Sequence, residues 1–181
     1  ASLLPFLVLT AYGGSYWLSH QHRQQRTQIQ DSAVALARAV DRELRGHMDT
    51  VQVLGRSRQL QSGDLRAFDE LARDAAAGSG AHFLLADVTG QQLINTRSSR
   101  GAPLPMVADA EGYVRTMAGR RPHVSELTLG AVAKQYLVGI RVPIEVNGEI
   151  RYVLTYIPRA HAFLDVVKQN YLPEGWFAAI L

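Results

Sequence analysis

The sequence contains no cysteine, only two lysines against seventeen arginines, and few aromatic side chains, 8% of its 181 residues. Without cysteine there can be no disulfide, thiolate metal site or thiol nucleophile, and the lack fits an exported domain as well as a cytosolic one. P-loop, GxGxxG, GxSxG and HExxH patterns are missing too, so none of the phosphate cradles or catalytic frames built on those spacings is encoded. Charge is sparse, 19% Asp, Glu, Lys and Arg beside 47% apolar residues, which is the balance of a folded chain. The length accommodates one ordinary domain and an additional element.

The net charge of +3 is unevenly placed. Seven arginines face four acidic residues before residue 63, whereas twelve basic residues meet twelve acidic ones after it. The arginines are scattered, and no basic stripe is interleaved with aromatics, so no nucleic-acid partner is expected.

What is present begins with an uncharged run. Residues 1–18 carry Leu3, Leu4, Phe6, Leu7, Val8, Leu9, Tyr16, Trp17 and Leu18. Eighteen helical residues reach about 27 Å, slightly less than the ~30 Å hydrocarbon layer, so residues 1–18 read as a transmembrane helix truncated at its start. Tyr12, Tyr16 and Trp17 gather at the far end, where amphipathic rings favour the headgroup layer. The alternative is a buried core helix. Against it weigh Pro5 and the Gly13-Gly14 pair, which membrane helices tolerate better.

From Ser19 onward there is no helix breaker, and Ala33, Leu36, Val40, Leu44, Met48, Val51 and Leu54 recur at steps of three and four. This spacing predicts one amphipathic stalk helix within residues 19–62, with Gly46 as its weak point. Asp64 is a candidate N-cap for a second helix that stops at Gly78-Ser79-Gly80. Alternation then predicts strands over 82–87 and 92–97 around an Asp87-Val88-Thr89-Gly90 turn, a short helix over 109–118, and a strand over 124–129. The strongest turn signal is Asn147-Gly148, which favours a two-residue type I′ hairpin between strands 136–146 and 149–157. A further helix is expected over 159–169. The order describes an α+β fold, an antiparallel sheet with a long N-terminal helix and flanking helices.

Pairing Val146 with Glu149 and counting outward without interruption puts Arg141 opposite Leu154, Gly139 opposite Tyr156 and Pro143 opposite Tyr152. One face then carries a guanidinium between two phenols beside a gap at Gly139. Arg97, Arg141, Tyr152 and Tyr156 are therefore candidate ligand-binding residues, with Tyr113 as a lid and Tyr136 at the rim. Arginine suits a carboxylate or phosphate, and tyrosine adds area and a hydroxyl. Cross-strand packing on a wetted sheet face is the alternative for the same residues. His20, His22, His47, His82, His123 and His161 show no metal-ligand spacing, and neither a metal nor a catalytic residue is expected.

A membrane helix running into a long helix, a sheet with Asp87-x-x-Gly90 and a final Asn-Gly hairpin together resemble the Cache, PAS-like sensor domains of bacterial receptors. The stretches Gly63-Asp64-Leu65-Arg66-Ala67-Phe68, Leu93-Ile94-Asn95-Thr96-Arg97 and Gly101-Ala102-Pro103-Leu104-Pro105 look like the sensor region of membrane histidine kinases. Leu172-Pro173-Glu174-Gly175-Trp176 looks like the opening of a second, membrane-proximal module over 171–181.

The resemblance implies a sensor module over 63–170, lying in the periplasm and anchored in the inner membrane. It implies a small-molecule ligand, a homodimer formed through the long helix, and no cofactor in this segment. A kinase region using ATP would follow elsewhere, with chemoreceptor or cyclase outputs as alternatives. A ligand-free dimerisation spacer remains the competing function.

Overall fold

The computed structural model describes residues 31–159. Residues 42–163 form one compact unit, and of the other, Ala1–Asp41 with Leu164–Leu181, only 31–41 are described, a helical stretch. The expected membrane helix, the helix over 159–169 and the second module lie outside the described residues. Among the described residues no helix is long and apolar enough to cross a membrane.

Helix α1 runs from residue 31, the first described, to residue 55. It stops there, short of the expected boundary. Ser57 starts a separate short helix, α2 (Arg58–Gln61), which buries Leu60. Gly55 explains the tight docking of this end, since a Cβ there would run into Cδ1 of Ile144 on the sheet. Helix α3 (Leu65–Ala76) begins at Asp64 as its composition predicts, with the Asp64 carboxylate accepting from the Ala67 N–H at 3.0 Å. Helix α4 (Ala110–Gly119) is capped in the same way by Asp109, which accepts from the Gly112 N–H at 2.8 Å.

Strands β1 (His82–Asp87), β2 (Gln92–Asn95), β3 (His123–Val124), β6 (Ile140–Val146) and β7 (Glu149–Ile157) form an antiparallel sheet in the order β2-β1-β7-β6-β3. The strands expected over 124–129 and 136–146 are each interrupted, and their inner portions, β4 (Thr128–Leu129) and β5 (Tyr136–Leu137), pair as a separate two-stranded hairpin. The mixed α+β architecture is the one expected.

One expectation is corrected. The Asn147-Gly148 turn is present, with φ 54° and 84°, and Val146 pairs with Glu149. Beyond it a β-bulge between Ile144 and Glu145 leaves exposed Arg151 unpaired, so Arg141 faces Thr155, Ile140 faces Tyr156 and Ile144 faces Tyr152. A one-residue slip exchanges the two faces of a strand. The exchange puts Leu154 and Tyr156 against the helices, where they join Val51, Leu54, Leu60, Phe68, Phe83, Leu85, Ile140, Val142 and Ile144 in the main core. Leu44 and Met48 of α1, members of the predicted stripe, pack against that core. On the opposite face α4 seals a smaller cluster of Ala86, Tyr113 and Val153.

Candidate functional site

Side chains on the α4 face of the sheet form rows across it. Arg141 lies beside Thr155, Thr155 beside Leu84 and Leu84 beside Asn95, while His82 and Ile157 occupy the next row. The part of this face that α4 leaves open is roofed by the loop between β4 and β5. The resulting cavity has a volume of about 50 Å³. Its polar lining comprises His82, Gln92, Asn95, Asp109, Ser125, Thr128, Arg141 and Thr155, and its roof is Gly130, Ala131, Val132, Ala133 and Leu137.

Two glycines keep the space open. A Cβ on Gly139 would come within 2.7 Å of the Thr155 methyl, and the Gly139 N–H donates to Ser125 Oγ at 2.8 Å. Gly112 lies where any side chain would strike the Asp109 carboxylate and come within 2.6 Å of Arg141 Nη1.

The electrostatics follow from the cap of α4. One carboxylate oxygen of Asp109 holds the Gly112 N–H, and the other accepts from Arg141 Nη1 at 2.7 Å. Burial alone would raise the Asp109 carboxyl. The Gly112 N–H, the Arg141 hydrogen bond and the charges of Arg141 and Arg115 outweigh it and hold the group below its ordinary value. Arg141 is 6% exposed, and among the described residues Asp109 is its only hydrogen-bond partner, so its other donors are available to the cavity. His82, 7% exposed, is pushed down to about 4 by burial, with the nearby Arg97 charge adding to the effect. It is therefore a neutral imidazole. Asn95 Nδ2 donates to Gln92 Oε1 at 3.0 Å, fixing both amides at the β2 side.

Of the six residues singled out by sequence, Arg141 lines the cavity. Tyr113 is buried under α4 beside it, and its hydroxyl donates to the Asp87 carbonyl; burial raises its pKa, the Asp87 charge adds to this and Arg141 opposes it. Tyr136 is 68% exposed on β5, and it is the following residue, Leu137, that lines the roof. Arg97 borders a separate groove with Arg73, Gly80 and Thr96. Tyr152 and Tyr156 face the helices. The Tyr156 ring packs at a tilt against His47 of α1 at 4.7 Å and against Phe83 at 5.2 Å. The structure thus does not bring the two phenols to the guanidinium.

Asp109, His82, Asn95 and Thr155 are among the cavity residues that sequence reasoning passed over. Asp109 was legible as a helix start, and its partner was not. Among the described residues no cluster of His, Asp or Glu could hold a metal ion.

Solved structures share this fold. The ligand-binding domain of the Campylobacter jejuni chemoreceptor Tlp3 in complex with 4-methylisoleucine superposes with a TM-score of 0.61 at 14% identity, covering 78% of this chain and 61% of that one. The Tlp3 sensory domain with isoleucine bound gives 0.60 at 14% identity over 78% and 62%. The sensor domain of the V. cholerae histidine kinase DctB gives 0.59 at 14% identity over 85% and 62%. The fold is that of a Cache-type sensor domain. The chain spans about three fifths of the length of these Cache structures. No protein-family model matches it, and no curated protein does.

Proposed function

We propose that this chain is the extracytoplasmic sensing part of a transmembrane receptor, and that it binds a small molecule in the cavity floored by Arg141 and Thr155. The observation that carries the reading is a buried guanidinium, one donor held by Asp109, lining a pocket whose remaining walls are neutral and polar or apolar. The shared fold supports it, since its solved examples are sensor domains, one bound to isoleucine and one to 4-methylisoleucine. A ligand as large as those would require the β4–β5 loop to move aside.

Transmission follows from the alternation of β7. Thr155 and Ile157 face the cavity, and Tyr156 between them packs against His47 of α1. A ligand that displaces β7 moves the surface on which the helix rests. It shifts the receptor's equilibrium only if it binds the two arrangements unequally. In this reading residues 1–18 anchor the protein in the inner membrane, the module lies in the periplasm, and α1 pairs with its copy in a homodimer. The motif resemblance favours a histidine kinase output, whose ATP would be bound elsewhere; the solved chemoreceptor domains keep the chemoreceptor alternative in play.

The test is a metabolite screen by melting temperature. A ligand should raise the transition of the full chain, and Arg141→Ala should abolish the rise. If no metabolite raises it and receptor output survives Arg141→Ala, the domain is a spacer.

A further inference from the structure

Three of the residues that line the cavity can titrate, and together they leave it without charge. His82 is neutral, and Arg141 and Asp109 cancel each other at 2.7 Å. Side-chain exposures of 8% for Arg141 and 15% for Asp109 mean that water screens this pair weakly. A ligand that accepts from the remaining Arg141 donors sits within a few ångströms of the Asp109 carboxylate. If that ligand is an anion, two negative charges share one positive partner where solvent screens them weakly.

We propose that Asp109 sets the specificity of this cavity, and that it admits small molecules without net charge, with a carbonyl or similar acceptor for Arg141 and an apolar part for the roof. This rests on the ligand-sensing reading above. The apolar part is called for by Ala131, Val132, Ala133 and Leu137 above and Ile157 below. The narrow free space restricts the occupant to a few heavy atoms unless the β4–β5 loop moves. Asp109 is held in this role from two sides. Its cap on α4 fixes one oxygen, and the bare backbone of Gly112 lets the guanidinium reach the other. The aspartate is thus already placed where a ligand carboxylate would go, and only a molecule that does not compete with it enters without cost.

The test uses the full chain and matched probes, the amide, carboxylate and ammonium forms of a three-carbon and a five-carbon chain, titrated by amide chemical shifts. In the native protein the amides should bind at least about tenfold more tightly than the carboxylates, because like charges brought together at a recognition surface are strongly disfavoured. Asp109→Asn keeps the N-cap acceptor and removes the charge, and in it the carboxylates should overtake the amides. Asp109→Ser, also a good cap, gives the same reading should the asparagine variant fold poorly. A native preference for carboxylate or ammonium, or an order unchanged in both variants, overturns the inference while leaving the sensing reading in place. If no probe shifts any of the three proteins, the inference falls, and the sensing reading stands or falls with the metabolite screen.

Discussion

Arg141 on β6 and Asp109 at the start of α4 are joined by a 2.7 Å hydrogen bond that passes directly over the bare backbone of Gly112. Thirty-two residues of chain separate the pair, and the contact fixes the start of α4 to the sheet. In an ordinary helix interior Gly→Ala stabilises by about 1 kcal/mol. Here the added Cβ would lie within 2.6 Å of Arg141 Nη1 and closer still to the Asp109 carboxylate. Gly112→Ala should therefore destabilise the domain by roughly 1–3 kcal/mol, the usual cost of overpacking. Denaturant midpoints at constant slope check it, and an unchanged or raised midpoint would show that the pair is free to move aside.

His82 gives the domain a defined acid response. An imidazole in the unfolded chain takes up its proton near 6.5, while in the folded protein His82 does so near 4. Between those values the unfolded state binds more protons, so stability should fall as pH drops from 6.5 to 4. His82→Gln should flatten that part of the profile. Asp69, Asp87 and Asp109 are each held below the ordinary carboxylate value of 3.8, so the stability they contribute is lost only at lower pH. Urea unfolding at intervals from pH 7 to pH 3 separates the two effects.

Tyr156 and Tyr136 share a residue type and differ in burial, at 9% and 68% exposed. Tyr156→Ala removes a core ring packed on Phe83 and His47 and should cost about 3 kcal/mol or more. Tyr136→Ala should fall within about 0.5 kcal/mol of the native protein. Equal effects from the two substitutions would contradict the assignment of faces to β7.

That assignment marks the limit of what the sequence discloses. Caps and turns are local, so Asp64, the Asp87–Gly90 bend and the Asn147-Gly148 turn are all legible as short patterns, and the α+β class follows from their order. The bulge at Arg151 is not. Residues 152–157, Tyr-Val-Leu-Thr-Tyr-Ile, carry large apolar groups on both faces of β7, because both faces are covered. Alternation therefore cannot say which set turns to the helices. Arg141 was recognisable as a guanidinium in a strand with a glycine nearby. The groups that share its cavity, Asp109, Thr155 and His82, come from three other segments and meet only in the tertiary fold.

The turn itself supplies another check. Gly148 sits at φ 84° with nothing near the position a Cβ would take, so a substitution there strains only the backbone. Gly148→Ala should cost about 1–2 kcal/mol, the penalty for placing an L side chain in the left-handed region. Calorimetric transition temperatures measure it, and the fold should be retained.

The central claim is that the cavity between the sheet and the β4–β5 loop receives a small molecule through Arg141. Amide chemical-shift mapping of the full chain against pooled metabolites tests this most directly. Shifts should gather at Asn95, Gly139 and Thr155 for a single component of a pool and vanish in Arg141→Ala. Shifts clustered instead along the groove between α3 and residues 99–104, or undiminished in Arg141→Ala, would contradict it.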